Sequence, residues 1–304
     1  MTVAKQKSTS KIRFSIVIVV RNDHGIARTL ETLEPMVTHR QDVETIVVDA
    51  SKPAELRQYK QRFSDVVWVY YQNTTGKRIT IPEQRNLGTA TARGDIIIFL
   101  DANCVPAPTW LDAMTQSCTV ESLDAVTGPI TSVGGKTAHD AGYEIFADGA
   151  AIPECGAANL AVRKDILQAI DGFDTAMSYG EDVDLAWRII DAGHTITFKK
   201  AASIAHNWGD SSEENRRAFR YGAARIVLYK KHPHRWRNLL SYDINVLIYP
   251  LFILGLPVTI WFPFYPLLLL VPLFRNRKKR PIQTTFQHLI YGLGVYKGLI
   301  KGNI

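Results

Sequence analysis

Three groups of polar side chains in this sequence carry chemistry by type and spacing. The segment Gly94-Asp95-Ile96-Ile97-Ile98-Phe99-Leu100-Asp101-Ala102-Asn103 is an apolar run that empties into an acid, a small residue and an amide. Two oxygen-bearing side chains one residue apart at such a tip either form an Asx turn or meet a hard divalent cation, Mg²⁺ or Mn²⁺, that also holds phosphate oxygens. Just upstream, Gln84-Arg85-Asn86-Leu87-Gly88 places Arg85 where its guanidinium can reach a diphosphate. Further along, Gly180-Glu181-Asp182-Val183-Asp184 opens a helix with adjacent carboxylates, which the positive end of the helix dipole favours. Such acids either cap the helix or supply the general base that an attacking hydroxyl needs as it loses its proton.

These groups have to be positioned by regular elements, and the hydrophobic pattern supplies them. Short β-branched runs at Phe14–Val20, Glu44–Asp49, Val66–Tyr71 and Asp95–Leu100 read as buried strands. Helical patterns lie between them at Gly25–Glu34, Pro53–Phe63 and Pro82–Ala92, the last two opening on a first-turn proline. Alternation of this kind predicts an α/β fold, a mainly parallel sheet flanked by helices. Ligands bind such sheets at the carboxyl ends of the strands, which singles out Asn22, Asp49 and Asp101. Asp49 at its strand tip is a turn cap or an acceptor for a base or ribose. The turn Arg21-Asn22-Asp23-His24-Gly25 is no glycine-rich phosphate loop, so dinucleotide and P-loop chemistry lose their main support.

The composition, 46% hydrophobic and 21% charged over 304 residues, is that of a folded chain and excludes disordered or collagen-like classes. Cys104, Cys118 and Cys155 have no metal-ligand or paired spacing, which suits a reducing compartment. Charge is divided along the chain: residues 1–211 carry 21 Lys and Arg against 26 Asp and Glu, and residues 212–304 carry 15 against 3. The basic part brackets Ile244–Phe274, a run without any charged residue, so lipid is favoured over nucleic acid as its partner. The expectation is a C-terminal membrane-associated helical region, with a transmembrane or re-entrant hairpin over 241–275 bent near Pro263. A polar tail precedes it at 1–12, a catalytic domain at 13–212, a basic juxtamembrane helix with Arg216, Arg217, Arg220 and Arg225 at 213–240, and an interfacial segment follows at 276–304. Membrane lipids are then partners, and the location is the cytoplasmic face of the cell membrane. Between these elements, Gly128–Ala151 reads as a mobile specificity loop.

Taken in order, the motifs resemble the family-two inverting glycosyltransferases of GT-A type over roughly residues 13 to 232. They run Ser15-Ile16-Val17-Ile18 with Asn22, Val48-Asp49, Arg85-Asn86-Leu87-Gly88, Arg93-Gly94-Asp95, Asp101-Ala102-Asn103, Asn159 to Arg163, Gly172-Phe173-Asp174, Gly180 to Leu185, and His206. The resemblance implies a Rossmann-like sheet and transfer of a sugar from a nucleotide-sugar donor, UDP-linked, to a hydroxyl of a glycan or lipid-linked acceptor. By the same resemblance, Asn22, Asp49, Arg85 and Asp101 bind the nucleotide sugar, with Asp49 on uracil or ribose. Asp182 is the catalytic base, with Glu181 orienting acceptor or base. Asp101 and Asn103 hold the divalent metal, and His206, at the end of a strand Ile196–Ala205, is a further metal ligand or a diphosphate contact. The sequence departs from the family where Val19-Val20 stands for Pro-Thr and where Asn103 stands for the second acid of Asp-x-Asp. Two rivals stay open at this point: a membrane-tethered nucleotide-sugar-binding scaffold without turnover, and a nucleotidyltransferase.

Overall fold

A computed structural model describes residues 11–72, 79–133, 146–207, 211–277 and 280–301. The chain forms two compact units. One comprises Met1–Thr131, Tyr143–Phe173 and Leu185–His206, the other Ser132–Gly142, Asp174–Asp184 and Asn207–Ile304.

In the first unit the elements run β1 (Phe14–Val20), α1 (Ile26–Val37), β2 (Val43–Asp49), α2 (Arg57–Arg62), β3 (Val67–Tyr70), α3 (Ile81–Thr91), β4 (Ile96–Asp101) and β5 (Cys104–Pro106). They continue with α4 (Trp110–Thr119), β6 (Ala125–Thr127), β7 (Ile130–Ser132), β8 (Asn159–Arg163), α5 (Lys164–Ala169), α6 (Glu181–Asp191), β9 (Ile196–Phe198) and β10 (Ile204–His206). The first four residues of α6 fall in the second unit. A seven-stranded sheet has the order β3-β2-β1-β4-β8-β6-β9, and β5-β10-β7 form a small second sheet. Strands β3, β2, β1 and β4 are parallel to one another, whereas β8 runs antiparallel to both β4 and β6. The Rossmann-like α/β arrangement expected from the sequence is therefore present.

Continuous β-branched runs make this sheet because both of its faces are covered. Every residue of β2 is buried, as is all of β1 except Val19. The core between sheet and helices gathers Val17, Ile46, Phe99, Leu160, Phe173 and Leu185. Register then decides function: Val20 pairs with Asp49 and Val19 with Asp101, so the acids at both strand tips emerge at one edge. Helix α3 starts where Glu83 accepts hydrogen bonds from the Thr80 amide, at 2.9 Å, and the Thr80 hydroxyl, at 2.8 Å. Gly88 lets that helix lie against β1, since a Cβ there would collide with Val17. At the opposite end of the strands, buried Glu44 accepts from Ser15 Oγ at 2.6 Å, from the Arg93 amide at 2.7 Å and from Arg93 Nε at 2.8 Å. With the Gly94 amide donating to Ser15 Oγ at 2.9 Å, that network accounts for Arg93-Gly94, whereas the Asp95 carboxylate pairs with Lys11. Cys104, Cys118 and Cys155 are free and buried.

The second unit is helical: α7 (Ser211–Lys231), α8 (Asn238–Ser241), α9 (Asn245–Leu254), α10 (Leu270–Arg275) and α11 (Pro281–Lys301). Glycines make its main seam. A Cβ on Gly222 would strike the Tyr291 carbonyl, one on Gly294 the Phe219 carbonyl and one on Gly298 the Ala223 carbonyl, so α7 and α11 touch backbone to backbone.

This unit corrects the expected membrane-associated region. Among the described residues no helix is long and apolar enough to cross a membrane, so the transmembrane or re-entrant hairpin, the anchor and the membrane-face location inferred from it are not supported. Proline is the physical reason, because each one removes an amide donor and clashes with the preceding turn. The apolar run is cut into α9 of 10 residues, 3-10 turns at Leu256–Ile260 and Tyr265–Leu269, and α10 of 6 residues. At 1.5 Å per residue α9 is about 15 Å long, half of a hydrocarbon core of about 30 Å. Residues 1–10 of the polar tail, 134–145 of the Gly128–Ala151 loop and 278–279 of the basic flank lie outside the described residues.

Candidate functional site

The tip of β4 is where polar side chains gather in the first unit. Arg85 on α3 donates through Nη2 to Asp101 Oδ1 at 2.7 Å, and its guanidinium stacks 5.3 Å from the centre of the Phe173 ring. The other carboxylate oxygen, Oδ2, lies 3.9 Å from His206 Nε2. Strand pairing brings the histidine there: β10 runs antiparallel to β5, which sets His206 opposite Cys104, directly after Asn103. The expected strand Ile196–Ala205 is in fact two, β9 and β10, and only the second carries His206 to this tip. Burial alone would raise the Asp101 carboxyl, but the Arg85 charge and the His206 contact outweigh it and hold the group well below the usual carboxylate range. Asp101 is thus an anion at any physiological pH.

Asp101 and His206 fit a shared cation. A divalent ion with bonds of about 2.1 Å can join donor atoms up to about 4.2 Å apart, and Oδ2 and Nε2 lie within that span. Asn103 adopts the left-handed conformation at φ 65°, which asparagine tolerates, and lays its side chain over Gly25. A side chain at residue 25 would occupy the same space.

The remaining donor-side candidates hold loops together. Asp49 is 2% exposed, accepting from the Ser51 amide at 2.8 Å through Oδ1 and pairing with Lys60 at 2.7 Å through Oδ2. Asn22, also left-handed at φ 51°, accepts from the Lys52 amide at 3.0 Å, while its own amide donates to Ser51 Oγ at 2.8 Å. These bonds fasten the loop after β1 to the loop after β2. Asn86 makes a reciprocal pair with the Phe173 backbone, at 2.8 and 2.9 Å, which ties α3 to the Gly172-Phe173 turn.

In the second unit, Glu181 and Asp182 occupy the first turn of α6, with Asp182 Oδ1 accepting from the Val183 amide at 2.8 Å. Gly180 precedes them at φ +76°, a conformation that side chains rarely adopt. Asp184, in the first turn of α6, is fully buried and is held by Lys231 at 2.7 Å and His232 at 2.8 Å; Lys231 also reaches Asp174 at 2.6 Å. On α7, burial pushes the Tyr221 phenol up, and the charges of Asp182 and Glu181 push it the same way.

Sequence reasoning did not single out Tyr179 or Tyr221, and it read Lys231 and His232 only as part of the basic stretch before the apolar run. Their signal is weak, since they lie outside the motifs. What brings Lys231 and His232 to Asp184 is the 21-residue length of α7.

Comparison with known proteins gives this geometry a context. The model of "Glycosyl transferase family 2" matches residues 15–177. A "Pre-mycofactocin glycosyltransferase" of Mycobacterium tuberculosis is 26% identical over 243 residues, covering 74% of this chain and 49% of that protein. The chain thus spans about half the length of that relative. "Glycosyltransferase AglE" of Haloferax volcanii is 26% identical over 257 residues, 79% of this chain and 82% of that one. The structure of the mannosyltransferase PcManGT from Pyrobaculum calidifontis, in complex with GDP-Man and Mn²⁺, superimposes with a TM-score of 0.70 at 18% identity, over 96% of this chain and 88% of that one. At that identity the likeness is one of fold.

Proposed function

The chain is an enzyme of glycosyl transferase family 2, and from that premise we propose that it moves a sugar from a nucleoside diphosphate donor to a saccharide hydroxyl with inversion. The observation that carries this reading is the Asp101–His206 pair beside Arg85, an anionic tip suited to a divalent cation and next to a fixed guanidinium. A related fold takes GDP-Man and Mn²⁺ in PcManGT, which supports the donor class and the metal without choosing the base.

In this reading Asp182 removes the proton from the acceptor hydroxyl as its oxygen attacks the anomeric carbon. The bond from that carbon to the diphosphate oxygen breaks in the same displacement, the electron pair leaves on the nucleoside diphosphate, and the configuration inverts. Arg85 holds Asp101 in place and contributes positive charge where the diphosphate departs. Asp101 and His206, with Asn103 as a neutral oxygen donor, are the residues to hold Mg²⁺ or Mn²⁺, which when bound neutralises phosphate charge. Glu181 orients the acceptor. Asn22 and Asp49 act in donor binding by shaping the loops after β1 and β2, and the acceptor is a glycan or a lipid-linked saccharide.

The test is calorimetric titration with UDP and with GDP, each with and without Mn²⁺, on the wild type and on Asp101→Ala. Metal-dependent binding of one nucleotide, lost in the variant, is expected. Failure of both nucleotides to bind folded protein at any metal concentration overturns the reading.

A further inference from the structure

The arginines of α7 belong to a basic helix whose charge the proposed reaction leaves unused. Most cations of α7 are engaged within the second unit: Arg225 with Asp243 at 3.5 Å, Lys231 with Asp174 and Asp184, and Lys230 with the carbonyls of Gly298 and Leu299. Arg216 donates to Ser212 Oγ at 3.2 Å. Arg220 differs from these. It is exposed, has no carboxylate partner among the described residues, and lies with its guanidinium carbon 5.2 Å from the centre of the Tyr179 ring. Its Nη1 donates to Tyr179 Oη at 3.2 Å. Tyr179 in turn meets Tyr221 edge to face, with ring centres 5.9 Å apart at 62°. Tyr221 keeps 36% of its surface open to solvent.

We propose that Tyr179, Tyr221 and Arg220 form an acceptor subsite for a saccharide that carries an oxyanion, a phosphate ester or a carboxylate. The proposal rests on Asp182 being the base. A pyranose has one face of C–H groups, which pack on aromatic rings, and a rim of hydroxyls that needs polar partners. Tyrosine supplies both at little entropic cost. The guanidinium is already oriented by its ring and its hydrogen bond, so it loses little freedom when it grips an oxyanion, and its planar fork matches one geometrically. Tyr179 stands three residues before Asp182, which places the subsite on the segment that carries the base. Arg220, hydrogen-bonded to Tyr179, supplies the positive charge that the negative group meets.

The experiment is calorimetric titration, without nucleotide, of the full chain with glucose 6-phosphate, methyl glucuronide, methyl glucoside and inorganic phosphate. Both anionic sugars are expected to saturate the protein, and the neutral glycoside to bind about tenfold more weakly, as the loss of one charged hydrogen bond implies. In Arg220→Gln the anionic sugars should fall to the level of the neutral one, with Arg220→Lys recovering part of the difference. Tyr179→Leu should weaken all three sugars, and circular dichroism establishes that each variant is folded. A stronger response to the phosphate sugar or to the glucuronide identifies which oxyanion the subsite prefers. Unchanged affinities in Arg220→Gln, no binding of any sugar, or inorganic phosphate binding as tightly as glucose 6-phosphate would each overturn the proposal. Displacement of the sugars by UDP or GDP would also overturn it, by placing them in the donor site. Because no nucleotide is needed, sugar binding by a protein that binds neither UDP nor GDP counts against the transfer reading alone, and the reverse pattern counts against the subsite alone.

Discussion

Asp184 and His232 are 48 positions apart in the chain and 2.8 Å apart in the fold. Lys231 closes on the same carboxylate oxygen from beside the histidine, at 2.7 Å. The buried carboxylate in the first turn of α6 is thereby held by the last residue of α7 and the histidine that follows it, and the turn that bears Glu181 and Asp182 is tied to a distant part of the sequence.

Removing the buried member of that pair should cost more than removing either partner. Asp184→Ala leaves a histidine and a lysine facing an apolar gap, and breaking a buried pair costs about 3 kcal/mol or more. Urea unfolding of Asp184→Ala against His232→Gln measures the difference. A smaller loss in Asp184→Ala than in His232→Gln would show that the carboxylate is not the centre of the cluster.

The two acids assigned to chemistry should separate kinetically. Asp182→Asn should lower turnover by about 10²- to 10⁴-fold, the range of a lost general base, while nucleotide affinity stays within twofold or so of wild type. Asp101→Ala should lose both turnover and nucleotide affinity. Equal losses of affinity in the two variants would contradict these roles.

Glu44 gives a signed dependence on pH. Burial raises its pKa, but the bonds from Ser15 and Arg93 outweigh that, so the folded value lies below the ordinary 4.5. Its contribution to stability is complete above pH 4.5 and is lost as the pH falls through the folded value. Acid unfolding of wild type against Glu44→Gln should show the two curves converging as the pH drops below 4.5. Parallel curves would mean that Glu44 does not titrate with folding.

The glycine seam should be intolerant of even one methyl group. Gly222→Ala drives a Cβ into the Tyr291 carbonyl, and backbone cannot yield as a side chain can. A cost of about 2 kcal/mol is expected, read as a lower midpoint in thermal unfolding. An unchanged midpoint would mean that α7 and α11 separate without penalty.

Much of the first unit is legible in the sequence because its signals are local. The β-branched runs give the parallel strands, and strand ends give Asp49 and Asp101 without any knowledge of partners. What those acids touch is not local. Asp49 is taken up by Ser51 and Lys60, and Arg85 is turned onto Asp101, through distances that only the assembled sheet sets. The break between β9 and β10 follows Lys199-Lys200, a polar interruption inside Ile196–Ala205 whose turn the reading of one continuous strand overlooked. The apolar run from Ile244 misled for the opposite reason: its hydropathy suggests a span, whereas Pro250, Pro257, Pro263, Pro266 and Pro272 govern its geometry.

The link from Asp184 to Lys231 and His232 also bears on how this enzyme can be cut or recombined. The segment that matches the family ends at residue 177, before the paired acids, and the counter-ions of Asp184 arrive more than fifty residues later. A chimera that grafts only the matching segment would import Arg85 and Asp101 without His206, and would leave the carboxylate turn to whatever cations its new host provides. Residues 174–184 and 211–232 form one inheritable module, exchanged together or not at all.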